Sequence, residues 1–287
     1  MAKSRRRPSI SHRLTLGQYL PGASSLHQLD PRTKLLLSMV VMSLLMWIES
    51  WPALIFWMSA LAVVAMRTQL PARLFLRNLR AFLWLFALTI LLHALSPGYS
   101  AAQSLNGFGM GPQLRVWGIS ISWTGWLVGL KYALRLALLI VVTGILSFTT
   151  VPTDLTDGLE RLLRPMQKWR VPVHELAFMT TLALRFVPTI VEEAERIQRA
   201  QLSRGAKFSG SLVARVQSLV PLIVPLVVAT FHRADDLAIA MEARCYRGSA
   251  GRNSFREMRF ARRDFWAIGA VIFCAAITII YERMNAA

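Results

Sequence analysis

Long apolar runs separated by short polar segments dominate the chain. A helix that crosses a bilayer needs about 17–25 residues, and five of these runs are close to that length. They occupy residues 35–48, 52–66, 81–95, 132–149 and 264–281. Only Glu49, Ser50, Trp51 and Pro52 separate the first two runs, which predicts a tight helical hairpin. The pattern therefore predicts an all-α, polytopic membrane protein with about five transmembrane helices.

Basic residues are distributed unevenly among the polar segments, and their distribution sets the orientation of a membrane protein. Of the 287 residues, 54% are hydrophobic, and 33 Lys and Arg outnumber 15 Asp and Glu. The arm of residues 1–34 and the loop of residues 67–80 are rich in Arg, whereas the turn at Glu49 has no basic residue and the Gly-rich segment 96–124 has only Arg115. We therefore expect a cytoplasmic N-terminus and a C-terminal tail outside.

A few side chains near the ends of the apolar runs need separate interpretations. Lys131 and Arg135 lie one turn apart, so they either snorkel to the membrane interface, which we favour, or form an intramembrane contact. His93 is interpreted as an interfacial histidine rather than a catalytic one. Aromatic rings often settle at the interfaces, and this location is expected for Trp47, Trp51, Trp57 and Trp84.

The segment of residues 150–262 is basic but also contains apolar stretches, which indicates three amphipathic helices. The first begins at Pro152, the second runs from Pro172 to about Ser203, and the third runs from about Ser211 to Arg244. We expect them on the cytoplasmic side, lying along or under the membrane. A further span within the third helix, whose first half is almost wholly apolar, is the alternative.

This interpretation divides the chain into four parts. They are a cytoplasmic basic arm (1–34), transmembrane helices 1–4 (35–149), a cytoplasmic domain of three long helices (150–262), and the last transmembrane helix with its tail (263–287).

A repeat links the second and third of these helices. When the sequence is shifted by about 40 residues, Ala194–Gly205 aligns with Ala234–Cys245, and Arg204 meets Arg244. In both copies an apolar stretch that contains proline is followed by a helix with charges of both signs. Each of these helices ends in an arginine that has a small residue on either side. Two similar basic helix ends suggest two similar docking sites on a partner with two similar halves.

Motifs for catalysis, nucleotides and metals are absent from the sequence. It has no Gly-rich phosphate loop followed by Lys-Ser or Lys-Thr, and His174-Glu175 lacks the second His of a zinc helix. Cys245 and Cys274 lack metal-ligand or redox spacing. Since membrane topology already accounts for the basic residues and no aromatic residues are interleaved with them, we do not expect nucleic-acid binding. The sequence predicts no active site.

Several separated motifs resemble those of one family. Ala240–Gly248, preceded by Arg-Ala-Asp-Asp, resembles the second signature of the transmembrane T component of energy-coupling factor (ECF) ABC-type transporters, and Ser203-Arg204-Gly205 resembles the first. The segments Gly17–Lys34 and Pro152–Leu159 are also similar to that family, so the likeness covers nearly the whole chain. The entry sequence resembles the shared-module (group II) type. Ser203 stands where Ala is usual, and Cys245 where Gly is usual.

The resemblance implies a scaffold without catalysis of its own. T components of ECF transporters join two cytoplasmic ABC-type ATPases (EcfA and EcfA′) to one or more S components in a prokaryotic plasma membrane, for uptake of vitamins or metal ions. ATP would bind to the partners, and this chain would hold no cofactor or metal. The implied ATPase-docking residues are Ser203, Arg204, Gly205, Ala243, Arg244 and Cys245, with support from Asp235, Asp236 and Glu242.

Two other functions compete with the scaffold. A self-sufficient secondary transporter or channel would carry polar residues within its spans and often repeats of membrane helices, whereas here the repeat lies in the helices predicted to be cytoplasmic. A membrane-embedded enzyme would need a cluster of His, Asp or Glu at membrane depth, where only His93 is available.

Overall fold

The computed structural model of the chain describes residues 24, 26–69, 71–95, 113–116, 119–169, 171–206, 212–246, 248 and 261–286. These residues form two compact units. We call the described parts of 19–151 and 258–287 the membrane unit, and the described parts of 152–257 the motif unit. The predicted basic arm lies largely outside the described residues.

Helices make up most of both units, which confirms the predicted fold class. The membrane unit contains α1 (Pro31–Trp47), α2 (Trp51–Arg67), α3 (Ala72–Ala81), α4 (Leu83–Leu95), β1 (Gln113–Val116), β2 (Ile119–Ser122) and α5 (Trp123–Thr149). The motif unit contains α6 (Pro152–Leu163), a 3₁₀ helix (Arg164–Trp169), α7 (Val173–Ser203) and α8 (Leu212–Ala243). The last helix, α9 (Arg262–Ala286), returns to the membrane unit.

A turn of three residues joins the first two helices, at the place where the sequence predicts a tight connection. Asp30 caps α1, because its Oδ1 accepts from the Arg32 amide at 3.0 Å, and Pro31 starts the helix without needing an N–H donor. The helix ends at Trp47, and α2 begins at Trp51 with Pro52 in its first turn.

Each of the five predicted runs is helical, with differences in length. By length and composition, two described helices could cross a membrane, namely Trp123–Thr149 and Arg262–Asn285. A third span is formed if α3 and α4, which meet at a bend of 52°, together cross the membrane as one broken helix. The helices α1 and α2 have 17 residues each, at the short end of the spanning range of about 17–25. A membrane protein with several helical spans is therefore supported.

Helix α5 begins earlier than the apolar run that predicted it, at Trp123 rather than near residue 132. A short antiparallel hairpin leads into it, with Gln113 opposite Ser122. These strands were not predicted, although Gln113–Val116 and Ile119–Ser122 each alternate polar and apolar residues on either side of Trp117-Gly118, which is the pattern of a short hairpin.

Tight packing on α5 holds the membrane unit together. A buried cluster joins α1, α2 and α5 through Leu45, Leu54 and Leu138. On another face, α5 approaches α4 so closely that a Cβ at Gly125 would lie 2.4 Å from the His93 carbonyl oxygen. Only glycine leaves room for this crossing, which was not predicted.

The three helices predicted for the motif unit are all present, and the 3₁₀ helix lies between the first two. Helix α7 continues through Pro188, and α8 continues through Pro221 and Pro225. The start of α7 is tied to α6, because His174 Nδ1 and Glu160 Oε1 lie 2.7 Å apart.

Candidate functional site

The end of α7 carries the first predicted motif in a defined helix-capping geometry. The Ala206 amide donates to the Gln201 carbonyl at 3.0 Å, and the Gly205 amide donates to the Leu202 carbonyl at 3.0 Å. Gly205 adopts φ +86°, in the left-handed region that closes such a cap. These bonds define a Schellman motif, in which Ser203 is the last helical residue and Arg204 is the C-cap.

The end of α8 repeats this geometry with the second motif. The Tyr246 amide donates to the Met241 carbonyl at 3.0 Å, and the Cys245 amide donates to the Glu242 carbonyl at 2.9 Å. Cys245 takes φ +57°, although left-handed backbone disfavours residues with a Cβ. Helix α8 therefore ends at Ala243 with Arg244 as the C-cap, so the substitution of Cys for Gly has not displaced the helix end.

The two ends also match in exposure. Residues 202–205 and 242–245 are exposed, while Gln201, Ala206, Met241 and Tyr246 are half-buried. Among the described residues, neither the Arg204 nor the Arg244 guanidinium forms an ion pair with a carboxylate. Asp235 and Asp236 lie two turns before Arg244 and are exposed as well. The sequence repeat is thus a repeat of local structure, with one arginine presented at each end.

Contacts between α7 and α8 place the two arginines far apart. The Phe178 and Tyr246 rings stack with centroids 5.5 Å apart, and Gln201 Nε2 donates to the Pro221 carbonyl at 3.4 Å. The helices are therefore antiparallel, and Arg244 lies beside the start of α7 while Arg204 ends it. At about 1.5 Å per residue, the stretch of α7 from Phe178 to Ser203 covers roughly 37 Å. Neither contact was predicted, since an aromatic pair so distant in sequence leaves no periodic signal.

A broad apolar stripe covers the middle of α8. Its side chains are exposed by 45–67% and recur at helical spacing; they are Leu219, Val220, Ile223, Val224, Val227, Val228 and Phe231. Exposed apolar surface of this extent is typical of a protein or membrane contact.

Lys131 and Arg135 correct our preferred prediction that they snorkel to the interface. Both are buried, and both reach the turn after α1: Lys131 Nζ donates to the Glu49 carbonyl at 2.9 Å, and an Arg135 terminal nitrogen donates to the Ile48 carbonyl. The Arg135 guanidinium also lies 4.9 Å from the centre of the Tyr132 ring. The two cations compensate the carbonyls at the C-terminal end of α1, so they form a contact inside the protein instead of extending outward to the interface.

Two carboxylates of α9 hold both ends of α1. Asp264 Oδ1 accepts from the Asp30 amide at 3.0 Å, before α1 begins. Glu282 Oε1 accepts from the Glu49 and Ser50 amides at 3.1 and 2.9 Å and from the Ser50 hydroxyl at 2.7 Å, after α1 ends. These two roles were not predicted, since single acids at the ends of an apolar run look like ordinary flanking residues.

Trp57 also differs from its predicted place at a membrane interface. Its side chain is buried in the membrane unit, where Nε1 donates to Thr278 Oγ1 of α9 at 3.0 Å. Trp47 and Trp84 are exposed by 53% and 67%. Trp57 lies four residues after Ala53 on the face of α2 that packs against α5 and α9, which accounts for its burial.

No group of three or more His, Cys, Asp or Glu side chains that could hold a metal ion occurs within the described ranges. Cys245 is exposed and Cys274 half-buried, and both are free thiols. The residues that the geometry sets apart are therefore two surface arginines on capped helix ends.

Comparisons with known proteins agree with the motifs. A family model described as CbiQ, cobalt transport protein, matches residues 22–255. The chain is similar to the energy-coupling factor transporter transmembrane protein EcfT of Thermanaerovibrio acidaminovorans, with 40% identity over 96% of this chain and 98% of the relative.

Other relatives with the same description show a similar degree of likeness. The Heliobacterium modesticaldum protein is 44% identical over 90% of this chain and 93% of its own. The Bacillus subtilis protein is 38% identical over 92% of this chain and 96% of its own length. All are named as transmembrane components of a transporter rather than as enzymes. The chain therefore belongs to the EcfT family of transmembrane components of energy-coupling factor transporters.

Proposed function

We propose that this chain is the energy-coupling scaffold of an ECF importer, which transmits motion from two ABC-type ATPases to a substrate-binding S component. The observation that carries the proposal is the structural repeat at Arg204 and Arg244. A partner with two similar halves, such as a pair of related ATPases (EcfA and EcfA′), would offer two similar acidic grooves to these ends.

The geometry of the two ends favours binding of rigid, preformed helix termini. Each Schellman motif satisfies the last carbonyls of its helix and leaves the arginine side chain at the surface. A guanidinium can then make bidentate, charge-assisted hydrogen bonds with a carboxylate of the partner. Ser203, Gly205, Ala243 and Cys245 are small, and so permit close approach of the partner around each arginine.

The separation of the ends supports bivalent docking. Because Arg204 and Arg244 lie at opposite ends of α7, one ATPase surface would meet each of them. Two linked contacts bind far more tightly than either alone, by a factor of about 10²–10⁴ when the geometry allows both. ATP hydrolysis would occur on the ATPases, and closing of their dimer would move α7 and α8.

The apolar stripe of α8 is the surface that we assign to the S component. In this proposal the motif unit and the N-terminus lie in the cytoplasm, and the stripe faces the membrane and the S component. Substrate recognition would then belong to the S component.

Co-purification from membranes tests the docking proposal. The chain is co-expressed with its two candidate ATPases, and wild type is compared with Arg204→Glu, Arg244→Glu and the double variant. Loss of one partner of a desolvated, hydrogen-bonded charge pair costs about 2–5 kcal/mol, and reversal of its charge also adds repulsion, so each single variant should lose much of the ATPase and the double variant should lose all of it.

The matched control is Arg196→Glu, which makes the same charge change in α7 at a side chain exposed by 72%. It should retain both ATPases. If the double variant retains them as well, while inserting into membranes normally, the two arginines are ordinary helix caps and the docking proposal is wrong.

A further inference from the structure

A cavity of about 520 Å³ lies inside the membrane unit, between α1, α2, α5 and α9. Its walls are almost wholly apolar and include Leu37, Leu61, Ile145 and Ala270. The volume is within the range of about 300–1,000 Å³ that is usual for sites that bind small organic ligands. None of the arginines that we assign to docking lines it, so the proposed coupling role leaves the cavity unexplained.

One end of the cavity is cationic. Lys34 and Arg263 line it there, close to the first residues of α1 and α9. The buried Lys34 ammonium donates to the Thr149 carbonyl at 2.9 Å, so its charge is fixed in place. Arg263 donates to Gln28 Oε1, and a guanidinium has five N–H donors in all. This end therefore suits an anionic group.

The other end lies near the middle of the membrane unit. Cys274 and Trp57 line it, and the hydrogen bond between Trp57 Nε1 and Thr278 Oγ1 lies one turn further along α9. From Arg263 to Cys274 the helix rises roughly 16 Å, at about 1.5 Å per residue. This distance matches one leaflet, since the hydrocarbon core of a bilayer is about 30 Å thick.

The cavity is also accessible from the side of the helix bundle. Trp266 of α9 lines the cavity and is nevertheless 81% exposed. The carboxylates Asp264 and Glu282 fasten α9 near its two ends, and the cavity lies along the helix between them. A chain-like ligand can thus enter from the lipid phase without unfolding the unit.

From its apolar walls, its leaflet length and its cationic end, we propose that the cavity binds one acyl chain of an anionic phospholipid, whose phosphate lies at Arg263 and Lys34. The lipid would fill the space between α9 and the rest of the membrane unit and would stabilise it. Basic pockets between transmembrane helices are known to bind anionic headgroups in this way. The lipid belongs to the leaflet on the side of the α1 N-terminus.

Native mass spectrometry of the full chain tests this assignment. The protein is reconstituted with equal amounts of phosphatidylglycerol and phosphatidylcholine of the same chain length, and the retained lipid is counted after mild extraction. Wild type should retain one phosphatidylglycerol in preference to phosphatidylcholine. Arg263→Gln should reduce this preference about fivefold, the effect of one basic residue near a lipid headgroup, whereas the neighbouring Arg262→Gln, which does not line the cavity, should leave it unchanged.

A second pair of variants tests the acyl-chain site. Ala270→Phe places a ring in the cavity and should abolish retention, whereas Ala276→Phe adds the same ring to an exposed position of α9 outside the cavity. Equal retention of both lipids by wild type, unchanged retention in Ala270→Phe, or a co-purifying polypeptide in place of lipid would each overturn the proposal. If Ala270→Phe fails to fold, the comparison of wild type with Arg263→Gln still decides.

Discussion

Exchanging the residues at the two left-handed helix caps should change the stability of the two ends in opposite directions. Cys245→Gly should stabilise the end of α8, and Gly205→Cys should destabilise the end of α7. The two caps share the same hydrogen-bond pattern and a left-handed φ, of +57° at Cys245 and +86° at Gly205, so each variant reproduces the residue type of the other end.

The structure isolates the backbone contribution to this effect. A Cβ at Gly205 would meet nothing within 4 Å, and the Cys245 side chain is exposed, so neither variant loses or gains much packing. Left-handed backbone costs a residue with a Cβ about 1–2 kcal/mol. The lower chain entropy of the non-glycine residue in the unfolded state offsets about 0.4–1 kcal/mol of this. A net difference of about 0.5–1 kcal/mol remains, in favour of glycine at each cap.

Amide hydrogen exchange at the capping residues measures this difference directly. The amides of Cys245 and Tyr246 should exchange about two- to fivefold more slowly in Cys245→Gly, and those of Gly205 and Ala206 faster by the same factor in Gly205→Cys. Cys245→Ser, which keeps a Cβ, is the control and should behave like wild type. If Cys245→Gly and Cys245→Ser shift exchange equally, the thiol and not the backbone conformation determines the stability of the cap.

Three further predictions concern the packing of the membrane unit, and each is tested by thermal unfolding in detergent. Gly125→Ala should destabilise it by about 1–3 kcal/mol, because the α4 backbone must move away from the new Cβ, whereas Gly144→Ala, whose Cβ would have no neighbour nearer than 3.6 Å, should change little. Glu282→Ala should cost about 1–3 kcal/mol by leaving two amides and a hydroxyl without their acceptor, and Glu282→Gln, which keeps an acceptor, should cost less; equal losses would contradict this role. Arg135→Met should cost about 1–3 kcal/mol by leaving the Ile48 carbonyl unpaired, and an unchanged melting temperature would show that the bond contributes nothing.

The helical class and the three helices of the motif unit were predictable because each rests on local pattern. These elements can be identified from the length of the apolar runs, from the prolines at 152 and 172, and from the repeated helix ending in which a small residue follows Arg. None of these signals depends on which other helices pack nearby. The two capped ends were predictable for the same reason, since a Schellman motif involves only residues 201–206 or 241–246.

The errors arose where distant residues meet. In the sequence, Lys131 and Arg135 resemble snorkelling residues. Their partners, the carbonyls of Ile48 and Glu49, are more than 80 residues away in the chain and come close only in the folded protein. Trp57 resembles an interfacial ring until Thr278, 221 residues later in the chain, provides its acceptor. Periodicity identifies the face of a helix, but the partner of that face depends on how the helices pack.

The contacts between α1 and α9 connect the fold of the membrane unit to a bilayer. Asp264 meets the residue before α1, and Glu282 meets the residues after it, so the two helices run in the same direction. Asp264 and Glu282 are 18 residues apart, which corresponds to about 27 Å of helix and is close to the about 30 Å of a hydrocarbon core. The charged contacts thus lie one membrane thickness apart with an apolar stretch between them.

Because the helices are parallel, the chain beyond α9 emerges on the side opposite to the residues that precede α1. A parallel arrangement of α1 and α9 is also what the topology predicted from the basic residues requires.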